Sequence, residues 1–562
     1  MKKIFISISL CFFTLSQISA QTTFTKVWET FHDGTLTGKD ISNNVTADSS
    51  GNIYITGKSF ETSAKGDFTT IMYDTSGNVM WKDFYTTTGG GVENKGNKII
   101  VDAFQNIYAL GTSQLKGGDI AIVKYNTAGK VWSENYTPSW YGNYYDEGKD
   151  IGVDSMGNVY AVGVVTSTSG NLDDVYTFKV DDASNVLWDV QYTGASASDY
   201  ARAIAVTKGG DCFSLSTSYN FFGSANDDIT TIYYDTDGAE QWLARYNGEG
   251  DDFDMAVDIT IDDAGDQYVC GATMNASNNN DIVAWKQNEF GTRLWTKIYN
   301  GSADEEDSAV SAMALSDGKV VVVGRSREML DGDELDAITL ILLDASGNEL
   351  WTKNYFGIDS NGAVPFALTT DKKDGIYISG FTFSLSGERD GLIMKYDTTG
   401  NLEWMDTFDG SDNWYDVFTS VVIDNKYNII VTGQTHSSVS TSDFVTIKYS
   451  QEFPIDTVIT DTTETDTTGN DTTQTFIAEL LSEDLIHIYP NPAIDVLHIN
   501  IDQEGIIETE IIICSADGKE HYRTVSSKNE EQIDISELAP GIYMLHINNK
   551  NMRASKQFIV SQ

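Results

Sequence analysis

Carboxylates and aromatic rings are the residues of this sequence that could do chemistry, and both are placed in a readable pattern. Aspartate recurs at Asp67, Asp119, Asp174, Asp228, Asp281, Asp336, Asp390 and Asp443, and a second acidic set stands at Asp40, Glu93, Asp146, Asp199, Asp254, Asp307 and Asp416. Two stretches are denser, Asp251-Asp252-Phe253-Asp254 and Asp331-Gly332-Asp333-Glu334-Leu335-Asp336. Clustered carboxylate oxygens are the hard ligands that calcium takes. They make Asp251, Asp252, Asp254, Asp331, Asp333 and Asp336 the candidate metal ligands and Ca2+ the candidate cofactor, although neither stretch has the spacing of an EF-hand loop. The plainer account of the periodic aspartates is that a short carboxylate at a strand entry caps backbone N–H groups in an Asx turn. A residue that recurs eight times fits that scaffold role better than a site that would occur once.

Aromatic residues break the regularity in three places: Trp140, Tyr141, Tyr144 and Tyr145; Tyr219, Phe221 and Phe222; and Trp414 with Tyr415. A flat ring beside carboxylates and amides packs on the apolar face of a pyranose while the polar groups take its hydroxyls, so these are the candidate carbohydrate-binding residues. The competing account is that they cover joints between structural units. For catalysis there is no His-Glu-x-x-His, no Gly-x-Ser-x-Gly, no phosphate-cradling glycine loop and no Cys/His pair. Carboxylate pairs are abundant enough for glycosidase geometry, but abundance selects no pair. Of six histidines, His487, His498, His521 and His546 are near the C-terminus, which leaves too few elsewhere for a histidine-based zinc site.

What must position these residues is a repeat. Tryptophan stands at 28, 81, 132, 188, 242, 295, 351 and 404, a step of about 54 residues of the kind that marks a repeat architecture. With it travel a strand-closing glycine (Gly57, Gly111, Gly163, Gly271, Gly324, Gly380 and Gly433, with Ser216 in the fourth place) and a turn glycine (Gly77, Gly129, Gly238, Gly291, Gly347 and Gly400). Each unit holds four strand-like segments, in the first unit near 41–47, 52–57, 67–73 and 79–85, with almost no helical periodicity. The expectation is an all-β chain forming an eight-bladed β-propeller of four-stranded antiparallel blades, with a seven-bladed ring as the alternative. The N-terminal strand around Trp28 should complete the last blade, removing two exposed sheet edges. Tight turns then share one face, and the longer connections, among them 58–66, 136–148 and 325–335, share the other, where binding residues usually lie.

The bulk composition narrows the partners. With 36 basic and 83 acidic residues the 562-residue chain carries a formal charge of −47, which repels nucleic acid and anionic lipid. Lys2-Lys3, an apolar run from Ile4 to Leu15 and Ile18-Ser19-Ala20 before Gln21 have the layout of a secretory signal cleaved between Ala20 and Gln21, and no later stretch is long and apolar enough to be a transmembrane anchor. Beyond it, Cys212, Cys270 and Cys514 do not describe a disulfide framework. Residues 454–478 turn abruptly to Thr and Asp, with Asp-Thr pairs five apart, and read as a linker. The domains are therefore 1–20 signal, 21–453 repeats, 454–478 linker and 479–562 a C-terminal domain.

Two resemblances follow from these motifs. Asp119-Ile-Ala-Ile-Val-Lys-Tyr125 and Asp390-Gly-Leu-Ile-Met-Lys-Tyr396, with the Trp and Gly-Asn-x-Tyr segments around them, resemble the bacterial propeller-repeat (SBBP) family over residues 24–450. Tyr489-Pro490-Asn491-Pro492, Leu538-x-x-Gly541-x-Tyr543 and Lys556 are similar to the type A C-terminal sorting domain of the type IX secretion system. The second resemblance implies a small Ig-like β-sandwich read by the outer-membrane translocon, and a protein secreted or held at the outer-membrane surface. The expected function is binding of polysaccharide or of a surface protein. A secreted carbohydrate-active enzyme using long-loop carboxylates and a structural surface scaffold are the alternatives.

Overall fold

The computed structural model describes residues 23–560 apart from 37, 88–92, 116–117, 139–144, 167–171, 195–197, 221–225, 249–252, 263, 412–413, 437–441, 453–478, 481–485, 490–492, 494–495, 502–508, 516–519, 527, 529, 537, 540 and 550–551. The signal segment with Ala20 and Gln21 and the linker 454–478 lie outside the described residues. Two compact units emerge, residues 1–456 and 457–562.

The larger unit is built from repeated four-stranded antiparallel sheets like propeller blades, eight among the described residues. The first runs Ile41–Ala47, Ile53–Ser59, Asp67–Tyr73 and Val79–Tyr85 in spatial order. The second and third strands are almost wholly buried and the fourth half-exposed, because the middle strands are covered on both faces by neighbouring sheets. That is why both alternating sets of their residues are apolar. First strands touch first strands from sheet to sheet, and Val417–Ile423 of the eighth touches Ile41–Ala47 of the first. The eighth sheet takes its outermost strand from the other end of the chain: Thr23–His32 pairs antiparallel with Asp443–Glu452.

Three repeated contacts explain the repeated residues. The first strand of every sheet carries a β-bulge, as between Ser42 and Asn44, opposite the strand-closing glycine in seven sheets and opposite Ser216 in the fourth. The bulge drives a carbonyl against that glycine, so a Cβ at Gly57, Gly111 or Gly433 would overlap the Ile41, Lys95 or Val417 oxygen. Six of the eight fourth-strand tryptophans bond to the next sheet: the indole Nε1 of Trp28, Trp81, Trp132, Trp188, Trp242 and Trp351 donates to the carbonyl of Thr75, Thr127, Asp182, Thr236, Glu289 and Thr398 at 2.8–3.3 Å, whereas the Trp295 and Trp404 Nε1 atoms have no such partner. In five such turns the glycine (Gly77, Gly238, Gly291, Gly347 or Gly400) lies under the tryptophan ring. Gly77 has φ 84°, and a Cβ there would stand 2.7 Å from Trp28.

The acidic set before the first strands staples the long connections. The carboxylate of Asp40 accepts the N–H groups of Gly34 (2.5 Å) and Phe60 (2.9 Å); Asp307 those of Gly301 (2.5 Å) and Arg327 (2.7 Å); Asp199, Asp254 and Asp416 those of Gly194, Gly248 and Gly410 at 2.5–2.8 Å. All five are buried. Burial pushes the carboxyls of Asp40 and Asp146 up to about 7 and those of Asp199 and Asp307 to about 6, even against the hydrogen bonds they accept. Glu147 goes the other way: burial opposes ionisation, but Lys95 at 2.7 Å and Lys149 at 2.9 Å bring it down to about 2.

One connection differs from its expectation. Residues 325–335 are not a long loop: Val320–Leu330 and Asp333–Leu343 stay paired to the end and meet at a two-residue turn, Asp331-Gly332, with φ 53° and 103°. Two successive positive φ values suit a type I′ hairpin, for which Asp-Gly is a preferred sequence.

The smaller unit has a five-stranded and a three-stranded sheet whose inner faces share one core, including Leu497, Ile499, Ile533, Ile511, Leu545 and Phe558.

Two predictions follow from these contacts. Gly111→Ala should destabilise the repeat unit by about 2 kcal/mol through overpacking, whereas Gly209→Ala, at an exposed glycine whose added Cβ would meet only the Thr207 hydroxyl in ordinary contact at 3.7 Å, should stay within about 0.5 kcal/mol; thermal melts of both variants check this. A carboxyl whose folded pKa lies above its unfolded value stabilises fully below the unfolded value and ceases to as pH rises through the folded one. The melting temperature at constant ionic strength should therefore fall between about pH 4 and pH 7, the window bounded by the unfolded value of 3.8 and the folded values near 6 and 7, and Asp146→Asn should flatten that slope.

Candidate functional site

Of the candidate metal ligands, Asp251 and Asp252 lie outside the described residues. Asp254 is buried and holds Gly248 N–H and the Thr273 hydroxyl at 2.6 Å. Asp331 and Asp333 stand at the hairpin tip, and Asp336 pairs with Arg325 Nε at 2.7 Å and Arg327 Nη1 at 3.3 Å. These carboxylates do not converge. Among the described residues, one group brings three carboxylates within 4.8 Å of one another, Asp33, Asp40 and Asp443, and there Asp40 is already engaged by two backbone N–H groups. The recurrent third-strand aspartates also serve their own loops: Asp67 accepts the N–H groups of Glu61 (2.9 Å) and Thr62 (2.6 Å), and Asp119 the Thr137 hydroxyl (2.9 Å).

Of the aromatic candidates, Trp140, Tyr141, Tyr144, Phe221 and Phe222 lie outside the described residues. Tyr219 is in a strand, paired with Asp227. Tyr145 donates to Glu147 Oε2 at 2.9 Å. Trp414 and Tyr415 are in the connection from the seventh to the eighth sheet, on the face of the long connections.

Trp414 and Tyr415 are held from below and left open above. Asp416 N donates to Arg389 O at 2.8 Å and Arg389 N to Trp414 O at 3.2 Å, fixing the connection to the neighbouring strand. The Arg389 guanidinium lies 4.5 Å from the centres of both the Tyr415 and Phe381 rings and donates to the Tyr415 hydroxyl, a cation–π clamp. Trp414 stacks on His436, with ring centres 5.0 Å apart and planes at 16°, yet stays 59% exposed. Beside these rings is a cavity of about 540 Å³ lined also by Lys39, Ile41, Gln434 and Ser442. Lys39 and Ile41 belong to the first sheet and its entry, Gln434 and Ser442 to the eighth. The two are tied by Asp40 N to Ser442 O at 3.0 Å and Ser442 Oγ to Asp40 O at 2.8 Å. The cavity thus sits on the joint that closes the ring. Sequence spacing alone could not join residues some 375–400 positions apart. Its polar lining offers an ammonium, an amide, an imidazole and a hydroxyl beside one open indole face.

In the smaller unit the motif residues divide. Tyr543 is buried, with its hydroxyl donating to Ala539 O at 2.9 Å, Leu538 packs against the core, Gly541 pairs with Val560 and Lys556 with Leu545. Tyr489 is 51% exposed and stacked on His498 at 5.0 Å. Pro490, Asn491 and Pro492 lie outside the described residues.

Comparison with known proteins bears on both units. Residues 34–59 match the model of a beta-propeller repeat and residues 487–561 that of a secretion system C-terminal sorting domain. No curated protein matches the sequence. Among solved structures the chain is similar to the WD40 domain of SCAP from fission yeast, at 8% identity and TM-score 0.40 over 76% of this chain and 98% of that one. It is also similar to the polysaccharide lyase Uly1, at 10% identity and TM-score 0.41 over 65% and 91%. The chain thus carries a beta-propeller repeat and a type IX secretion system C-terminal sorting domain, the signature of a protein secreted or displayed at the outer-membrane surface.

Proposed function

We propose that this chain is an exported binding protein whose long-connection face takes polysaccharide at the cavity beside Trp414. The observation that carries this reading is the 59% exposed indole of Trp414, stacked on His436 and next to a cavity lined by Gln434, Ser442 and Lys39. An indole is an expensive group to leave in water, and one beside amide and hydroxyl groups has the makeup of a pyranose platform. Such contacts are individually weak, so a surface displayed outside the cell would gain from a polymer that presents many equivalent sugars. The C-terminal domain delivers the site and takes no part in binding; its partner is the type IX secretion machinery.

The test is retention of the chain from Gln21 onward on a panel of insoluble polysaccharides. Trp414→Ala should lower retention on the cognate polymer by roughly tenfold, the scale of a central aromatic contact, with an unchanged melting temperature because the ring is largely exposed. Phe104→Ala, which removes an equally exposed ring from a tight turn on the other face, should leave retention unchanged. Binding to no polymer, or equal loss in both variants, would sink the reading.

A further inference from the structure

A second cavity, of about 770 Å³, opens on the tight-turn face between the fourth and fifth sheets. Its position coincides with a break in the repeat. In the second, third, fifth and seventh sheets the turn between first and second strands begins with Asp102, Asp154, Asp262 or Asp371, the second strand supplies Tyr108, Tyr160, Tyr268 or Tyr377, and the third supplies Lys124, Lys179, Lys286 or Lys395. The tyrosine hydroxyl reaches the aspartate, as from Tyr160 to Asp154 at 3.1 Å and Tyr377 to Asp371 at 2.6 Å. The lysine ammonium lies 4.8–5.4 Å over the tyrosine ring. The fold therefore places a cation on an aromatic face at this level four times.

In the fourth sheet the same three positions are Thr207, Phe213 and Tyr233. Phe213 and Tyr233 stack with centres 5.0 Å apart, and Trp242 closes on both at 5.9 and 5.7 Å. Phe290, 71% exposed, stands at the mouth. The charged side chains in the lining are Asp211, Asp262 and Glu289 against Lys208. We infer that this cavity binds an alkylated ammonium group. Half-buried Tyr233 and Trp242 and exposed Phe290 supply the aromatic lining for such a cation, with buried Phe213 stacked against Tyr233, and the acidic rim adds to the same field. A bulky, weakly hydrated ammonium is favoured over a primary amine because two of the three rim carboxylates are already engaged: Asp262 by Tyr268 OH at 2.8 Å and Lys286 Nζ at 3.7 Å, and Asp211 by the Tyr233 hydroxyl. The acidic rim disfavours an anionic ligand, and the volume lies within the range of small-molecule sites.

The experiment titrates the chain from Gln21 onward with choline and with its neutral isostere 3,3-dimethylbutan-1-ol, by calorimetry. Choline should bind about tenfold more tightly than the alcohol, the increment expected of a partly desolvated cation–π site. Phe290→Ala should weaken choline several-fold at an unchanged melting temperature, and Trp414→Ala, on the opposite face, should leave it unchanged. Equal affinity for the two probes would show an apolar pocket with no preference for charge and overturn the inference. So would binding of neither, or choline affinity that is indifferent to Phe290.

Discussion

The pairing of Thr23–His32 with Asp443–Glu452 is the interaction on which the rest of the larger unit depends. A ring of sheets in which each middle strand is buried by two neighbours has no stable open form, because a broken ring would expose two apolar sheet faces and unpaired strand edges. The seam is reinforced at both levels of the eighth and first sheets: Thr432 Oγ1 bonds Ser42 Oγ at 2.8 Å, and Asn425 Nδ2 bonds Ser49 O at 2.6 Å. The Trp414 cavity draws residues from both sides of this seam, so the proposed binding site exists only in the closed ring.

Around the ring, the repeated residues solve the same local problem many times. A tryptophan N–H bonded to the next sheet's turn carbonyl and a carboxylate capping the long connection satisfy indole and backbone groups, while a glycine under the ring leaves room for it. Periodic aspartates are accordingly spent on the scaffold, and their burial in a strongly acidic chain holds several carboxyls near neutrality. Function is better sought where the repeat departs from itself, at Trp414 and Tyr415 and at the Thr207, Phe213 and Tyr233 positions of the fourth sheet.

Much of this was legible in the sequence. The period of the tryptophans, the turn glycines and the incomplete last unit pointed to antiparallel sheets closed by the N-terminal strand, because spacing of turns and alternation of apolar residues are local properties of the chain. The Asp331-Gly332 turn carried its own hairpin signal, but the surrounding acidic residues masked it as a loop of ligands; the pairing that continues to Leu330 and Asp333 decided the matter. The strand-closing glycines were visible as a pattern, yet the carbonyl of the opposing bulge that forbids a Cβ there was not.

The sequence by itself determined the β architecture, the C-terminal sorting motif and the acidic character that disfavours nucleic-acid partners, since each follows from residue types at short range. Only the tertiary structure decided which carboxylates were consumed by backbone N–H groups, and which exposed rings had a cavity beside them. It alone brought Lys39 to Ser442. These depend on contacts between residues hundreds of positions apart, whose geometry is set by ring closure and leaves no local periodicity to read.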